Sequence, residues 1–145
     1  MTSRRFLILL FCLLPFGCAL FSAPSYDAEL DRGATALQSK LNAHFDELQR
    51  TTGTPEGAWE HHASFYESVR ADLTILFQRA DTQPGNDTTV RSLALLATNV
   101  AEVEAVHRAG LSPREIPILK QLLDMQLRML TKLEQAKKRS PKEAA

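Results

Sequence analysis

The chain is poor in the residues that many catalytic and binding motifs require. It has two cysteines and six glycines among 145 residues, and the cysteines, Cys12 and Cys18, both fall in the first 18 positions. The remainder of the chain therefore has no cysteine for a disulfide, a zinc–thiolate site or a thiol nucleophile. The patterns GxGxxG, GxxxxGK[ST] and HExxH do not occur, so dinucleotide-binding, phosphate-binding and zinc-protease motifs have no support. We expect no catalytic residues and no enzyme activity.

An excess of charge of either sign is also missing. Lysine and arginine number 17 and aspartate and glutamate number 17, so the formal net charge is zero. A protein that binds nucleic acid through bulk attraction to phosphate usually carries a clear basic excess. We therefore expect no nucleic-acid partner.

Residues 1–17 have the pattern of a secretory signal peptide. Arg4 and Arg5 form a basic start, and residues 6–16 form an apolar run. This run is too short for a transmembrane helix, which needs roughly 20 apolar residues. The pattern predicts export through a cleaved signal segment.

The end of this segment, Leu-Pro-Phe-Gly-Cys at residues 14–18, resembles the lipobox of bacterial lipoproteins, with Gly17 before Cys18 and Ala19 after it. The resemblance implies cleavage before Cys18, acylation of that cysteine (palmitate among the chains) and attachment to a membrane through the lipid. Because the next residue is Ala19 and not aspartate, it also implies the outer membrane, facing the periplasm. The alternative is ordinary cleavage after Ala19 or Ala23, which would give a soluble periplasmic protein. Residues 3–7 also resemble a loose twin-arginine signal, so the export route, general secretion or twin-arginine, stays open.

Apolar residues then recur every three or four positions in four segments, a spacing typical of amphipathic helices and not of strands. The predicted helices cover residues 26–51, 55–80, 88–109 and 113–136, with breaks at 53–57, 81–87 and 109–112. We predict an all-α fold, a four-helix up-down-up-down bundle over residues 26–136. Residues 18–25 would form the lipidated cysteine and a short tether, and residues 137–145 a basic flexible tail. The predicted core stripes are Leu30, Ala34, Leu37, Leu41, His44 and Leu48; Trp59, His62, Tyr66, Val69, Leu73, Leu76 and Ala80; Leu93, Leu96, Val100, Val103 and His107; and Ile116, Leu119, Leu123, Gln126, Leu130 and Leu133.

Local residues suggest where these helices begin and end. Ser25 is a plausible N-cap for the first helix, and Thr54-Pro55 reads as the N-cap and first position of the second. Gly110 is placed to end the third helix. The Ser-Pro-Arg-Glu sequence at residues 112–115 is a capping box for the fourth.

Three histidines fall on the predicted core stripes near one end of the bundle. His44 and His62 lie at similar distances from the first loop, and His107 lies near the third loop, which an up-down bundle places at the same end. Glu104 precedes His107 by one turn on the same face. These four residues could form a metal or haem site. The alternative interpretation is that the histidines are core residues that form hydrogen bonds to their neighbours.

Two function classes follow from these observations. The first is an envelope-anchored helical module without a cofactor, which has a structural role or binds an unidentified envelope protein. The second is a periplasmic bundle that binds a metal ion or haem through His44, His62, Glu104 and His107. The wide apolar face of the fourth helix also leaves a homodimer open.

Overall fold

The computed structural model describes residues 24–139, which form four α-helices and one short 3₁₀ turn. The helices are α1 (Ala28–Thr51), α2 (Trp59–Asp81), α3 (Asp87–Gly110) and α4 (Ile116–Arg139), and the turn, Pro55–Gly57, lies between α1 and α2. Each helix packs on two neighbours; the most extensive contacts are the antiparallel pairs of α1 with α4 and of α2 with α3. The predicted all-α four-helix bundle is confirmed. The predicted signal peptide, Cys18 and the last six residues lie outside the described part of the chain.

The core is built largely from the predicted stripes, but on α4 the predicted core residues Leu119, Gln126 and Leu133 are only half-buried, and Leu127 is fully buried. Every predicted core residue of α1 and α3 is buried, and so is every one on α2 except Trp59, which is half-buried. The 3.6-residue period explains this agreement, because residues three or four apart share one face of a helix. Phe45 is a buried aromatic residue of α1 that the stripe did not include.

The first helix begins two residues later than predicted, at Ala28 and not at residue 26. Asp27, not Ser25, is the N-cap: its side chain accepts hydrogen bonds from the backbone N–H groups of Glu29 at 2.9 Å and Leu30 at 3.2 Å. The Arg79 guanidinium also donates to Asp27, at 2.5 Å. The cap therefore joins the start of α1 to the end of α2.

The second helix was predicted to begin at Pro55, and this prediction is wrong. Pro55–Gly57 forms a separate 3₁₀ turn, Ala58 is extended, and α2 begins at Trp59. The turn lies so close to α1 that a β-carbon on Gly57 would be 2.3 Å from the Thr51 carbonyl oxygen. This close approach requires glycine and holds the turn over the end of the bundle.

The third connection agrees better with the sequence. Gly110 ends α3 with φ +113°, a conformation that favours glycine. The capping-box glutamate, Glu115, accepts a hydrogen bond from the Ser112 backbone N–H at 2.8 Å, and α4 is regular from Ile116.

The end of α4 departs from prediction twice. The helix continues through Arg139, so residues 137–139, which were predicted to belong to a flexible tail, are helical. The buried positions after Leu130 are Glu134 and Lys137, whereas Leu133 is only half-buried. Glu134 and Lys137 tolerate burial because they form an ion pair with each other and share one polar partner on α3, the Thr89 hydroxyl.

None of the helices within residues 24–139 is long and apolar enough to cross a membrane.

Candidate metal centre

Three of the four predicted site residues gather at one end of the bundle. The ring centroids of His44 and His62 are 5.0 Å apart, those of His62 and His107 are 5.3 Å apart, and those of His44 and His107 are 6.4 Å apart. All three rings are buried. His44 lies about two turns before the end of α1, His62 one turn into α2 and His107 one turn before the end of α3. Alternating helix direction therefore brings them to the same height.

The His44 imidazole is enclosed by aromatic rings. It stacks on Phe65, with centroids 3.6 Å apart and planes inclined by 13°, and it meets the Tyr66 ring edge to face at 5.5 Å. Its Nε2 atom is buried and has no hydrogen-bond partner among the described residues. Burial, and then the neighbouring charges of His62 and His107, lower the pKa of His44 to about 3. The ring is therefore neutral near pH 7, and one of its nitrogens carries a lone pair.

His62 has a defined tautomer when it is neutral. Its Nε2–H group donates to the Glu56 carbonyl oxygen at 3.0 Å, since a carbonyl can only accept. The lone pair of the neutral ring then lies on Nδ1. Histidines that bind metals usually donate their other N–H to a carbonyl or carboxylate in this way, which orients the ring.

His107 uses both of its ring nitrogens within the protein. Its Nε2–H donates to the Gly57 carbonyl oxygen at 2.9 Å, and its Nδ1 accepts from the Tyr66 hydroxyl at 3.0 Å. Burial, helped by the charge of Glu104, raises the pKa of Tyr66, so the hydroxyl keeps its proton as the donor. Burial is also the main reason that the pKa of His107 lies below its ordinary value. His107 therefore anchors the 3₁₀ turn to α3 and offers no free lone pair.

Glu104, the fourth predicted ligand, faces other partners. It is buried, but its carboxylate forms an ion pair with Arg70 of α2 and a second one with Arg108, one turn later, at 3.3 Å. The two guanidinium groups therefore neutralise the negative charge of the Glu104 carboxylate, which a bound metal ion would require. The structure brings the three histidines together and keeps Glu104 out of a ligand set with them.

A different carboxylate completes a candidate ligand group. One ligand atom each from His44, Glu47 and His62 lie within 4.8 Å of one another. The two histidines are buried and Glu47 is exposed. Sequence reasoning missed Glu47, although the signal was present: His44 and Glu47 are three residues apart on one helix, the same spacing that drew attention to Glu104 and His107.

Ligand bonds to zinc from nitrogen or oxygen are about 2.0–2.2 Å long, so ligand atoms around a tetrahedral ion are on the order of 3.5 Å apart. The observed spread of up to 4.8 Å is wider. The exposed Glu47 side chain can rotate toward the two histidines at little cost. The arrangement can therefore supply two nitrogens and one oxygen to a single ion.

Comparison of the chain with protein-family models, with curated proteins and with solved structures gave no match.

Proposed function

We propose that this protein binds a divalent transition-metal ion through His44, Glu47 and His62. The observation that carries the proposal is the buried, unpartnered Nε2 of His44, a residue with one ring nitrogen within 4.8 Å of ligand atoms of Glu47 and His62. Leaving a buried polar atom without a partner costs about 1–3 kcal/mol. Coordination of an ion would remove this cost and use the lone pair of a ring that burial keeps neutral.

The donor atoms narrow the class of ion. Two imidazole nitrogens and one carboxylate oxygen suit zinc, nickel, cobalt or copper(II), whereas calcium and magnesium prefer oxygen ligands throughout. Two histidines with one carboxylate also match the ligand type of open iron(II) sites. We therefore propose that the ligand is a divalent cation that accepts both nitrogen and oxygen donors, and that zinc is the first ion to test.

The proposed compartment is the bacterial envelope. Its support is the sequence of residues 1–19, with its basic start, apolar run and lipobox-like end. Acylation of Cys18 would anchor the bundle to a membrane, and cleavage after Ala19 or Ala23 would release it into the periplasm. Either outcome is compatible with the metal site.

A competition titration tests metal binding. The protein, produced from the full chain, is stripped with a chelator and titrated with Zn²⁺ against a chromophoric chelator of known affinity. We expect one Zn²⁺ per chain and, for His44→Gln and His62→Ala, a loss of affinity of at least about tenfold, the loss seen when even supporting groups around a metal are removed.

Two variants serve as matched controls. His61→Ala removes an exposed histidine adjacent to His62, and Asp46→Asn removes an exposed carboxylate adjacent to Glu47. Both should keep the wild-type affinity. Binding that is absent, or that survives loss of both His44 and His62, would contradict the proposal.

A protein-interaction module is the second candidate function, and one observation favours it. Ile118, Leu122, Met125 and Met129 are spaced by four, three and four residues and so share one face of α4; three of them are exposed, Ile118 by 66%, Met125 by 53% and Met129 by 56%. Such a face suits the apolar side of a partner helix, because methionine adapts to varied surfaces.

A photo-crosslinking group at Met125 should capture an envelope protein, with the same group at exposed Gln135 on α4 as the control. Capture of a second copy would instead indicate a homodimer.

A further inference from the structure

We infer that the metal ion is exchangeable: it is held by three protein ligands and keeps an outer coordination position for water or for a small exogenous donor. This inference rests on the metal site proposed above and specifies how that site works. It makes the ion a cargo that enters and leaves through the α1–α2 surface, and not a permanent part of the fold.

On the inner side of the site, the two other predicted ligands are already bonded to other groups. His107, the nearest candidate, has its Nε2–H bonded to the Gly57 carbonyl and its Nδ1 bonded to the Tyr66 hydroxyl. Phe65 covers one face of the His44 ring at a stacking distance of 3.6 Å. Glu104 is held by two arginines. His107 and Glu104, the two other predicted ligands among the described residues, are therefore already bonded and do not supply a fourth ligand from the inner side.

The outer side is open to solvent. Glu47 is exposed, and so are Ala43 on α1 and His61 on α2. Ala43 has no ligand atom, and His61 does not belong to the group of residues whose ligand atoms lie within 4.8 Å of one another. The exposed carboxylate of Glu47 can therefore leave the ion and return to it without disturbing the core, while His44 and His62 stay fixed by packing and by the bond to Glu56.

Ligand number separates two kinds of metal site. Structural zinc sites are closed by four protein ligands, whereas sites with three protein ligands carry water or another exogenous ligand in the remaining position. Here the inner ligands are rigid and the third is mobile and exposed, so an incoming donor can bind before the ion departs. A small anion or a chelator can then replace Glu47 first and the two histidines afterwards.

A Co²⁺ spectrum tests this inference directly. The full-chain protein is loaded with Co²⁺, and its visible absorption bands are recorded while sodium azide is added. We expect the bands to shift with azide and to saturate, because azide replaces water at the outer position. In stopped flow, transfer of Zn²⁺ to a chromophoric chelator should be at least about tenfold faster for Glu47→Ala than for wild type.

The neighbouring carboxylate gives the control. Asp46 forms an ion pair with Lys120 of α4, so Asp46→Asn should leave both the azide response and the transfer rate unchanged. Bands that form but do not respond to azide would overturn the open position and leave metal binding intact. Transfer rates equal in wild type and Glu47→Ala would remove the role of Glu47. Failure of Co²⁺ and Zn²⁺ to bind at all would overturn the proposed function itself.

Discussion

Burial has different consequences for single residues at the two ends of the bundle. At one end the His44 ring stays neutral, because burial removes the water that would solvate its charged form. At the other end Lys137 and Glu134 are both buried, but they form an ion pair. The Lys137 ammonium also donates to the Asn86 side-chain carbonyl at 2.6 Å and to the Thr89 hydroxyl at 2.8 Å. Each solution avoids an isolated buried charge.

The low pKa of His44 predicts acid sensitivity in the metal-free protein. The unfolded chain binds a proton at this residue below about pH 6.5, whereas the folded chain binds it only near pH 3. Between these values the unfolded state holds more protons, so the free energy of unfolding should fall as pH decreases, by up to about 5 kcal/mol in total. Urea unfolding from pH 7 to pH 4, with a chelator present, measures this slope.

Replacing the ring removes part of the effect. His44→Leu should show a shallower slope than wild type, while His61→Leu, at an exposed neighbouring site, should retain the full slope. Equal slopes in all three proteins would mean that His44 does not resist protonation in the folded state.

The buried ion pair at the far end predicts an asymmetric response to mutation. Lys137→Met leaves Glu134 charged, fully buried and without its cation, which should cost about 3–5 kcal/mol. The double variant with Glu134→Leu removes both charges and should recover much of this loss. Lys132→Met, at an exposed position of α4, should change stability by no more than about 0.5 kcal/mol. Thermal unfolding compares the three variants. A Lys137→Met protein as stable as wild type would contradict the role of the ion pair.

At the scale of the helices, periodicity predicted the core well and the helix ends less well. The stripes of α1 and α3 are buried as predicted because a helix face depends only on spacing. Helix ends depend on which side chain reaches the free N–H groups, and Asp27 and Ser25 both carry suitable oxygen atoms. The choice of Asp27 follows from tertiary contacts with Arg79 and Gln83, which spacing along one helix does not reveal.

The observed cap predicts which residue supports the start of α1. Asp27→Ala should destabilise the protein by about 1 kcal/mol or more, because it removes the cap and leaves the Arg79 side chain without its carboxylate. Ser25→Ala should be nearly neutral. Chemical denaturation of both variants checks the difference, and the reverse order would restore Ser25 as the cap.

At the candidate site too, spacing along the helices predicted some features, and contacts between helices decided the others. Loop positions and helix spacing were enough to bring His44, His62 and His107 together, since both loops lie at one end of the bundle. The carboxylate was not predictable in this way. Glu104 faces inward as the spacing suggested, but Arg70 approaches from α2 and competes for it. The pairing of charged groups on two different helices depends on how far their side chains reach. The spacing of residues along the sequence does not reveal this reach.

At the scale of the whole molecule, the prediction about Cys18 concerns attachment and not folding. If Cys18 is acylated as proposed, Cys18→Ala should move the protein from the membrane fraction to the soluble periplasmic fraction, because several acyl chains contribute about 0.8 kcal/mol per buried CH₂ and their loss removes the anchor. Helical content by circular dichroism should stay the same, because Cys18 precedes the first helix of the bundle. Mass spectrometry of the mature N-terminus checks the modification. A start at Leu20 or Pro24 without lipid mass would contradict the anchored form.

The antiparallel pairing of α1 with α4 has a further consequence for an anchored molecule. The start of α1 and the end of α4 lie together, as the Lys138 ammonium 5.1 Å from the Tyr26 ring shows, and the histidines lie at the opposite end. His44 is about 24 Å along the helix axis from Ala28, at roughly 1.5 Å per residue. Electrostatic screening at physiological ionic strength acts over about 8 Å. A bundle standing upright on its lipid would therefore hold its histidines beyond the reach of the headgroup charge. They would meet the proton and cation concentrations of the bulk fluid, not those of the membrane surface.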